Sequence, residues 1–176
     1  MAYDLHGSWD RTLGHNSPLY SREGETSAVA QLNQDWGVTY WLSNGAPPEK
    51  IMLGIATYGR TFLTYNGNQM GDWALGPGRQ GTFTEEAGFL AYYEICHTSR
   101  MAGPASGTLK HSGTLRLLPN RMGGYDDVDS ITIKKYIKST WSRGRYVWAI
   151  DMDDFRGTCG NVSNPLLRTI REYPSK

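Results

Sequence analysis

The sequence lacks the marks of several large functional classes. No run of about 18 apolar residues occurs, so no transmembrane helix is expected. No basic cluster stands out, and 18 basic against 17 acidic residues leave a net charge of +1. That balance favours neither nucleic acid nor an anionic membrane as partner. A glycine-rich phosphate loop is missing, which argues against a nucleotide ligand. His6, His15, His97 and His111 have no zinc-ligand spacing. Asp151, Asp153 and Asp154 resemble half of a calcium loop without its glycine and closing glutamate. No metal or other cofactor is therefore expected. No nucleophile-elbow pattern marks a Ser-His-Asp hydrolase. The first residues show neither a basic n-region nor an apolar h-region, so they are not a targeting segment. Cysteine is scarce: Cys96 and Cys159 allow one disulfide or two free thiols.

Aromatic residues are plentiful, at 12%, with six Trp, eleven Tyr and four Phe. The most informative stretch is Ile51–Phe62. Ile51, Met52, Leu53, Ile55 and Ala56 form a short apolar run bounded by Pro47, Pro48 and Lys50. Such a run reads as a strand buried on both faces, as in a parallel sheet. It ends in Tyr58 and Arg60, at the edge where parallel α/β folds hold their ligands. Met1–Asp4 and Tyr146–Ile150 have the same layout, apolar and then polar. Three strands ending in Tyr/Asp, Tyr/Arg and Trp/Asp point to one pocket.

Between these strands, Ala28–Asn44 reads as a helix with Val29, Leu32, Trp36 and Tyr40 on one apolar face. Gly45 is its stop. From Tyr58 to Gly124 the rhythm breaks into short runs at Thr61–Tyr65 and Gly81–Thr84, with a helix over Glu85–Cys96; Thr98–Gly124 is the least readable part. A further helix begins after Asp126 or Asp127, either of which can cap it. Ile133, Tyr136, Ile137, Thr140 and Trp141 fall on its apolar face, with Lys134, Lys135 and Lys138 largely outside. Asn164 and Pro165 suit the cap and first turn of a last helix running to about Tyr173. The order is β-α-β-insertion-α-β-α. Residues 1–57 and 125–176 would then form one α/β unit, and 58–124 an α+β insertion.

Tyr3, Asp4, Tyr58, Arg60 and Trp148 suit a neutral sugar, which offers hydroxyls, amide groups and apolar C–H faces. An indole can lie under such a ring while phenol, carboxylate and guanidinium fix its orientation. The alternative is that the aromatics fill the core and the acids pair with nearby Arg and Lys. Asn161-Val162-Ser163 is a glycosylation acceptor pattern. With the two cysteines it leans toward a secreted protein.

Several motifs together resemble the C-terminal part of the family 18 glycoside hydrolases, the chitinases and their inactive chitin-binding relatives. They are Met1-Ala2-Tyr3-Asp4 with His6-Gly7-Ser8-Trp9, Gly14-His15-Asn16-Ser17-Pro18-Leu19-Tyr20 and Thr57-Tyr58-Gly59-Arg60-Thr61-Phe62. Leu90-Ala91-Tyr92-Tyr93-Glu94, Tyr125-Asp126-Asp127 and Val147 through Phe155 complete the set. The resemblance implies an α/β fold: strands six to eight of a (β/α)8 barrel, with a small α+β domain inserted after the seventh. It implies substrate-assisted, retaining hydrolysis of chitin or chito-oligosaccharides, in which the sugar's own N-acetyl group attacks the anomeric carbon. Tyr3 would hydrogen-bond the acetamido oxygen, Met1 would line the same wall, and Asp4 and Arg60 would hold hydroxyls. Tyr58 would orient the site, Trp148 would lie under the sugar, and Glu94 would be a more distant groove contact. Cys96 and Cys159 would form a family disulfide.

The family's acid/base glutamate, which ends an Asp-x-x-Asp-x-Asp-x-Glu motif, is absent from these residues. Three strands cannot close a barrel that needs ~200 residues or more. The expectation is therefore a piece of a longer secreted protein, opening on an internal methionine and lacking its catalytic acid. A non-catalytic chitin-binding lectin or matrix protein is the second reading, and a structural α/β domain without a sugar site the third.

Overall fold

The computed structural model describes residues 1–65, 69–102, 106–109, 113–118, 121–137 and 144–172. Among the described residues, the expected first strand joins no ladder. Met1–Asp4 instead runs beside the next strand, held by a side chain: Gln34 Nε2 lies 3.1 Å from the Ala2 carbonyl and 3.2 Å from that of Gly54. One amide thus occupies two carbonyls that a strand ladder would have used. Gly54 allows the approach, since a Cβ there would come within 2.9 Å of the Tyr3 ring and 3.0 Å of the Ala2 nitrogen.

The helix expected from Ala28 begins later. A 3-10 turn covers Val29–Gln31, and α1 spans Gln34–Ser43. Asn33 sets the start, its side chain accepting the Trp36 N–H at 2.7 Å. The apolar face assigned to this helix is turned outward: Val29, Leu32, Trp36 and Tyr40 are exposed, and Gln34 and Val38 face in. Its inner face carries the Gln34 amide network, while Trp36 and Tyr40 stack on each other with centroids 5.1 Å apart.

After a 3-10 turn at Pro48–Lys50, β1 (Met52–Ala56) is buried on both faces from Leu53 onward, as its unbroken apolar run predicts. Its partner is β8 (Gly144–Trp148), parallel, with Ala56 opposite Trp148. Between them in sequence comes a separate antiparallel sheet. Here β2 (Tyr58–Leu63) pairs on one edge with β3 (Gly76–Pro77) and β4 (Phe89–Ala91), and on the other with β7 (Arg121–Tyr125). The order continues through β6 (Gly113–Leu118) to β5 (Ser106–Leu109). The expected short run at Gly81–Thr84 is not a strand, and the expected helix from Glu85 starts at Tyr92, as α2 (Tyr92–Ala102). The reason is that Phe89–Ala91 pairs with β2 as β4 before the helix begins.

The capping of α3 (Val128–Ile137) falls to Asp127, whose carboxylate accepts the Ser130 N–H at 2.8 Å. Lys134, expected outside the apolar face, is buried and pairs with buried Asp126 at 2.6 Å. The expected positions Lys138, Thr140 and Trp141 lie outside the described residues, as do the side chains of Lys135, Tyr136 and Ile137. Pro165 opens α4 (Pro165–Arg171), but Asn164 makes no capping bond. Asp153 replaces it from outside the helix, accepting the Leu167 N–H at 2.9 Å and the Leu166 N–H at 3.4 Å. Ile55, Ile131 and Leu166 bring β1, α3 and α4 into one apolar cluster. Tyr173, the expected end of that helix, is outside the described residues.

Candidate functional site

Tyr58 and Arg60 alternate along β2, so both project from one face of the strand. Asp4 meets them there. The Tyr58 hydroxyl donates to Asp4 Oδ1 at 2.7 Å, and Arg60 Nε donates to the same oxygen at 2.8 Å. Arg60 Nη1 also reaches Glu86 Oε1 at 3.3 Å. The guanidinium carbon lies 5.2 Å from the centre of the Trp9 ring, 5.5 Å from Tyr58 and 5.1 Å from Phe89, within cation–π range of all three. Burial opposes the Arg60 charge, but Asp4, Tyr58 and Glu86 more than compensate and its pKa is raised. Burial, and then the bond to Asp4, push the Tyr58 phenol well above its ordinary value. Both groups therefore keep their protons as donors at neutral pH. The Asp4 side chain remains 38% exposed, which leaves it open to a ligand.

Asp4 occupies this position because its backbone is held in the left-handed region, at φ 59°. Asn16 fixes it: the side-chain oxygen accepts the Asp4 N–H at 2.9 Å, and the amide donates to the Tyr58 carbonyl at 3.2 Å. Beneath, Tyr3 meets Tyr58 edge-on at 6.1 Å, and Tyr58 stacks on Phe89 at 4.7 Å. With Ala56 they make a buried cluster against which Met152 packs. Burial raises the Tyr3 pKa, with Tyr146 and Asp4 adding to the effect.

Trp148 stands at the end of β8, half-exposed, its carbonyl accepting the Thr57 N–H at 3.1 Å. That bond joins the indole-bearing strand end to the residue before Tyr58. Met1 is exposed beside the segment that carries Tyr3. So Tyr3, Asp4, Tyr58 and Arg60 form one contact set, and Trp148 borders it through Ala56 and Thr57.

Glu94 is not in this set. It is buried, and its carboxylate accepts from the Phe83, Thr84 and Ala91 N–H groups and the Thr84 hydroxyl. It is the third residue of α2 and reaches back to the residue before the helix, which makes it a capping and loop-anchoring group. The second exposed carboxylate at the site, beside Asp4, is Glu86 instead. Trp9 and Phe89 also belong to the site without having been singled out as ligand-binding residues. Trp9 closes the His6-Gly7-Ser8-Trp9 motif, whereas nothing local marks Glu86 or Phe89: pairing of β4 with β2 sets Phe89 opposite Arg60, and the turn just before β4 carries Glu86.

Two of the acids after Trp148 are structural. Asp153 caps α4, and Asp154 accepts from Thr158 Oγ1 at 3.1 Å and from the Cys159 N–H at 2.6 Å. The Gly14–Ser17 motif also acts inside the fold. His15 accepts the Ser17 N–H and donates to the Tyr125 carbonyl, both at 2.9 Å. Burial lowers its pKa to about 4, so the imidazole is neutral. Cys96 and Cys159 form a disulfide linking α2 to the chain after β8, with Cα atoms 5.7 Å apart. Asn161 is exposed in the same region.

The family model described as "Glycosyl hydrolases family 18" matches residues 1–153. The chain is 41% identical to mouse Chitotriosidase-1 over 176 residues, covering 98% of this chain and 37% of that protein. It is 40% identical to sheep oviduct-specific glycoprotein, covering 97% of this chain and 31% of that one. The chain thus spans about a third of the length of these curated relatives. Among solved structures it is similar to human YKL-39, described as a pseudo-chitinase with retained chitooligosaccharide binding. There the TM-score is 0.90 at 37% identity, over 97% of this chain and 48% of that one. A Group IV chitinase of Ostrinia furnacalis, solved with allosamidin, gives the same TM-score of 0.90, identity of 37% and coverage of 97% and 48%.

Proposed function

Because the chain belongs to glycosyl hydrolase family 18, we propose that it supplies the sugar-holding side of a chitinase-type site and binds chito-oligosaccharides. The observation that carries this reading is the half-open Asp4 carboxylate, already oriented by Tyr58 and Arg60. A site whose donors and acceptors are preset loses less freedom when a ligand binds. Asp4, Arg60 and Glu86 would meet hydroxyls, Tyr3 the acetamido oxygen, and Trp148 the apolar face of a ring, with Met1 along the same wall.

In the substrate-assisted reaction of this family a carboxylic acid must protonate the leaving group. The 176 residues hold no Asp-x-x-Asp-x-Asp-x-Glu motif, so we assign that proton to a group outside them. Binding without turnover, as in a lectin, is therefore the second reading. We assign residues 1–57 and 125–176 to the barrel part and 58–124 to the insertion; the parallel β1–β8 pair and the separate antiparallel sheet formed by the intervening chain support this. The disulfide and the exposed Asn161 support an oxidising, extracellular setting with Asn161 as a glycosylation site.

The experiment is a pair of measurements on the 176-residue protein: affinity for chitotetraose, and release of shorter sugars from it. Binding with no release is the expected result. Release of products would overturn the assignment of the acid, and absence of binding would overturn the whole reading.

A further inference from the structure

We propose a second sugar-binding site, separate from the Asp4–Arg60 cluster, in the cavity between α2 and the chain that follows β8. This rests on the sugar-binding reading above and extends it to a new surface. The cavity is about 500 Å³, within the range of roughly 300–1,000 Å³ typical of small-ligand pockets. Phe83, Tyr93 and Phe155 form a row of rings along it, meeting edge-on at 5.9 Å in each step. Phe83 is 73% exposed and Phe155 50%, so ring faces remain open to a ligand.

The polar lining decides the ligand class. Glu94 and Asp154 line the cavity, but their carboxylates already accept from backbone N–H groups and from the Thr84 and Thr158 hydroxyls. They present little spare acceptor capacity. Gln80 and Arg156 also line it, and among the described residues neither side chain makes a hydrogen bond. Arg156 lies 5.6 Å from the Phe155 ring centre. A ligand suited to this lining has an apolar face for the rings and carbonyl or hydroxyl oxygens for Arg156 and Gln80. A short, neutral N-acetylated oligosaccharide has both.

Continuity with the first site points to the same occupant. The loop between β3 and β4 serves both surfaces: Phe83 faces the cavity, while Glu86 contacts Arg60. Glu94 fixes that loop from within through the Phe83 and Thr84 N–H groups.

The test is a titration of the isotopically labelled protein with N,N′-diacetylchitobiose, followed by backbone amide shifts. Two groups of signals should move: one around residues 81–84, 93–98 and 154–158, the other around 3–4, 58–60 and 148. Phe83→Ala and Arg156→Ala, both at exposed positions, should each weaken the first response at least tenfold and leave the second unchanged. Trp148→Ala should do the reverse. Cellobiose, which has no acetamido group, should move the first group less. Shifts confined to the second group, or a first group indifferent to both substitutions, would overturn this proposal and leave the first site standing. Shifts confined to the first group would overturn the Asp4–Arg60 reading and leave this one. No shift in either group would overturn both.

Discussion

The Tyr58 hydroxyl and the Asp4 carboxylate meet at 2.7 Å across 54 residues of chain. The bond joins the N-terminal segment to the first strand of the antiparallel sheet, and Arg60 shares the same acceptor oxygen. Tyr58→Phe removes one donor and preserves the ring that stacks on Phe89. The expected cost to stability is about 1 kcal/mol, because Asp4 keeps Arg60 as partner. Arg60→Ala removes a charged donor worth about 1.5–3 kcal/mol. Calorimetric titration with chitotetraose should show affinity falling roughly ten- to hundredfold for Arg60→Ala and less for Tyr58→Phe. Equal affinities in all three proteins would contradict the site.

Lys134 and Asp126 are buried together, with Ser130 on the other carboxylate oxygen at 2.8 Å. Burial lowers the Lys134 pKa, and Asp126 offsets part of that effect. Lys134→Met strands a buried carboxylate. We expect a loss of about 3–5 kcal/mol in denaturant unfolding. Replacing both partners with apolar residues should recover much of it.

His15 sets a pH dependence of stability. Burial lowers its pKa from 6.5 to about 4; nearby Asp126 raises it and Lys134 lowers it. An unfolded chain binds a proton there near pH 6.5, a folded one only near 4. This contribution is intact above about pH 6.5 and is lost as the pH falls toward 4, by about 3 kcal/mol in all. Unfolding measured across that window should show a shallower fall for His15→Gln than for the parent. Parallel curves would contradict the assignment.

The Cys96–Cys159 bridge closes a loop at a sequence separation of 63. In the chain-entropy account such a loop is worth about 4 kcal/mol. Reduction, or Cys96→Ser with Cys159→Ser, should lower the unfolding midpoint accordingly. An unchanged midpoint would mean that α2 is anchored by packing alone.

Much of this was legible where one residue type answers to one local need. The apolar run at Leu53–Ala56 gave a buried strand, and Pro165 marked the start of α4. The motif residues Tyr3, Asp4, Tyr58 and Arg60 do meet. Illegible features depend on partners far away in sequence. Gln34, a polar residue, faces inward because it serves the carbonyls of Ala2 and Gly54, and so Trp36 and Tyr40 turn outward. Lys134 is buried because Asp126 and Ser17 receive it. Glu94 and Glu86 look alike in sequence; a helix start captures the first and leaves the second to Arg60.

The central proposal is that the start of β2, the end of β8 and the Asp4 segment hold a chito-oligosaccharide. Its most direct test is a calorimetric titration with chitotetraose of the parent protein beside Trp148→Ala, with folding of both checked by thermal unfolding. The account predicts saturable binding by the parent and a loss of at least tenfold for the variant at an unchanged midpoint. Equal binding by the two proteins, or none by the parent, would contradict it.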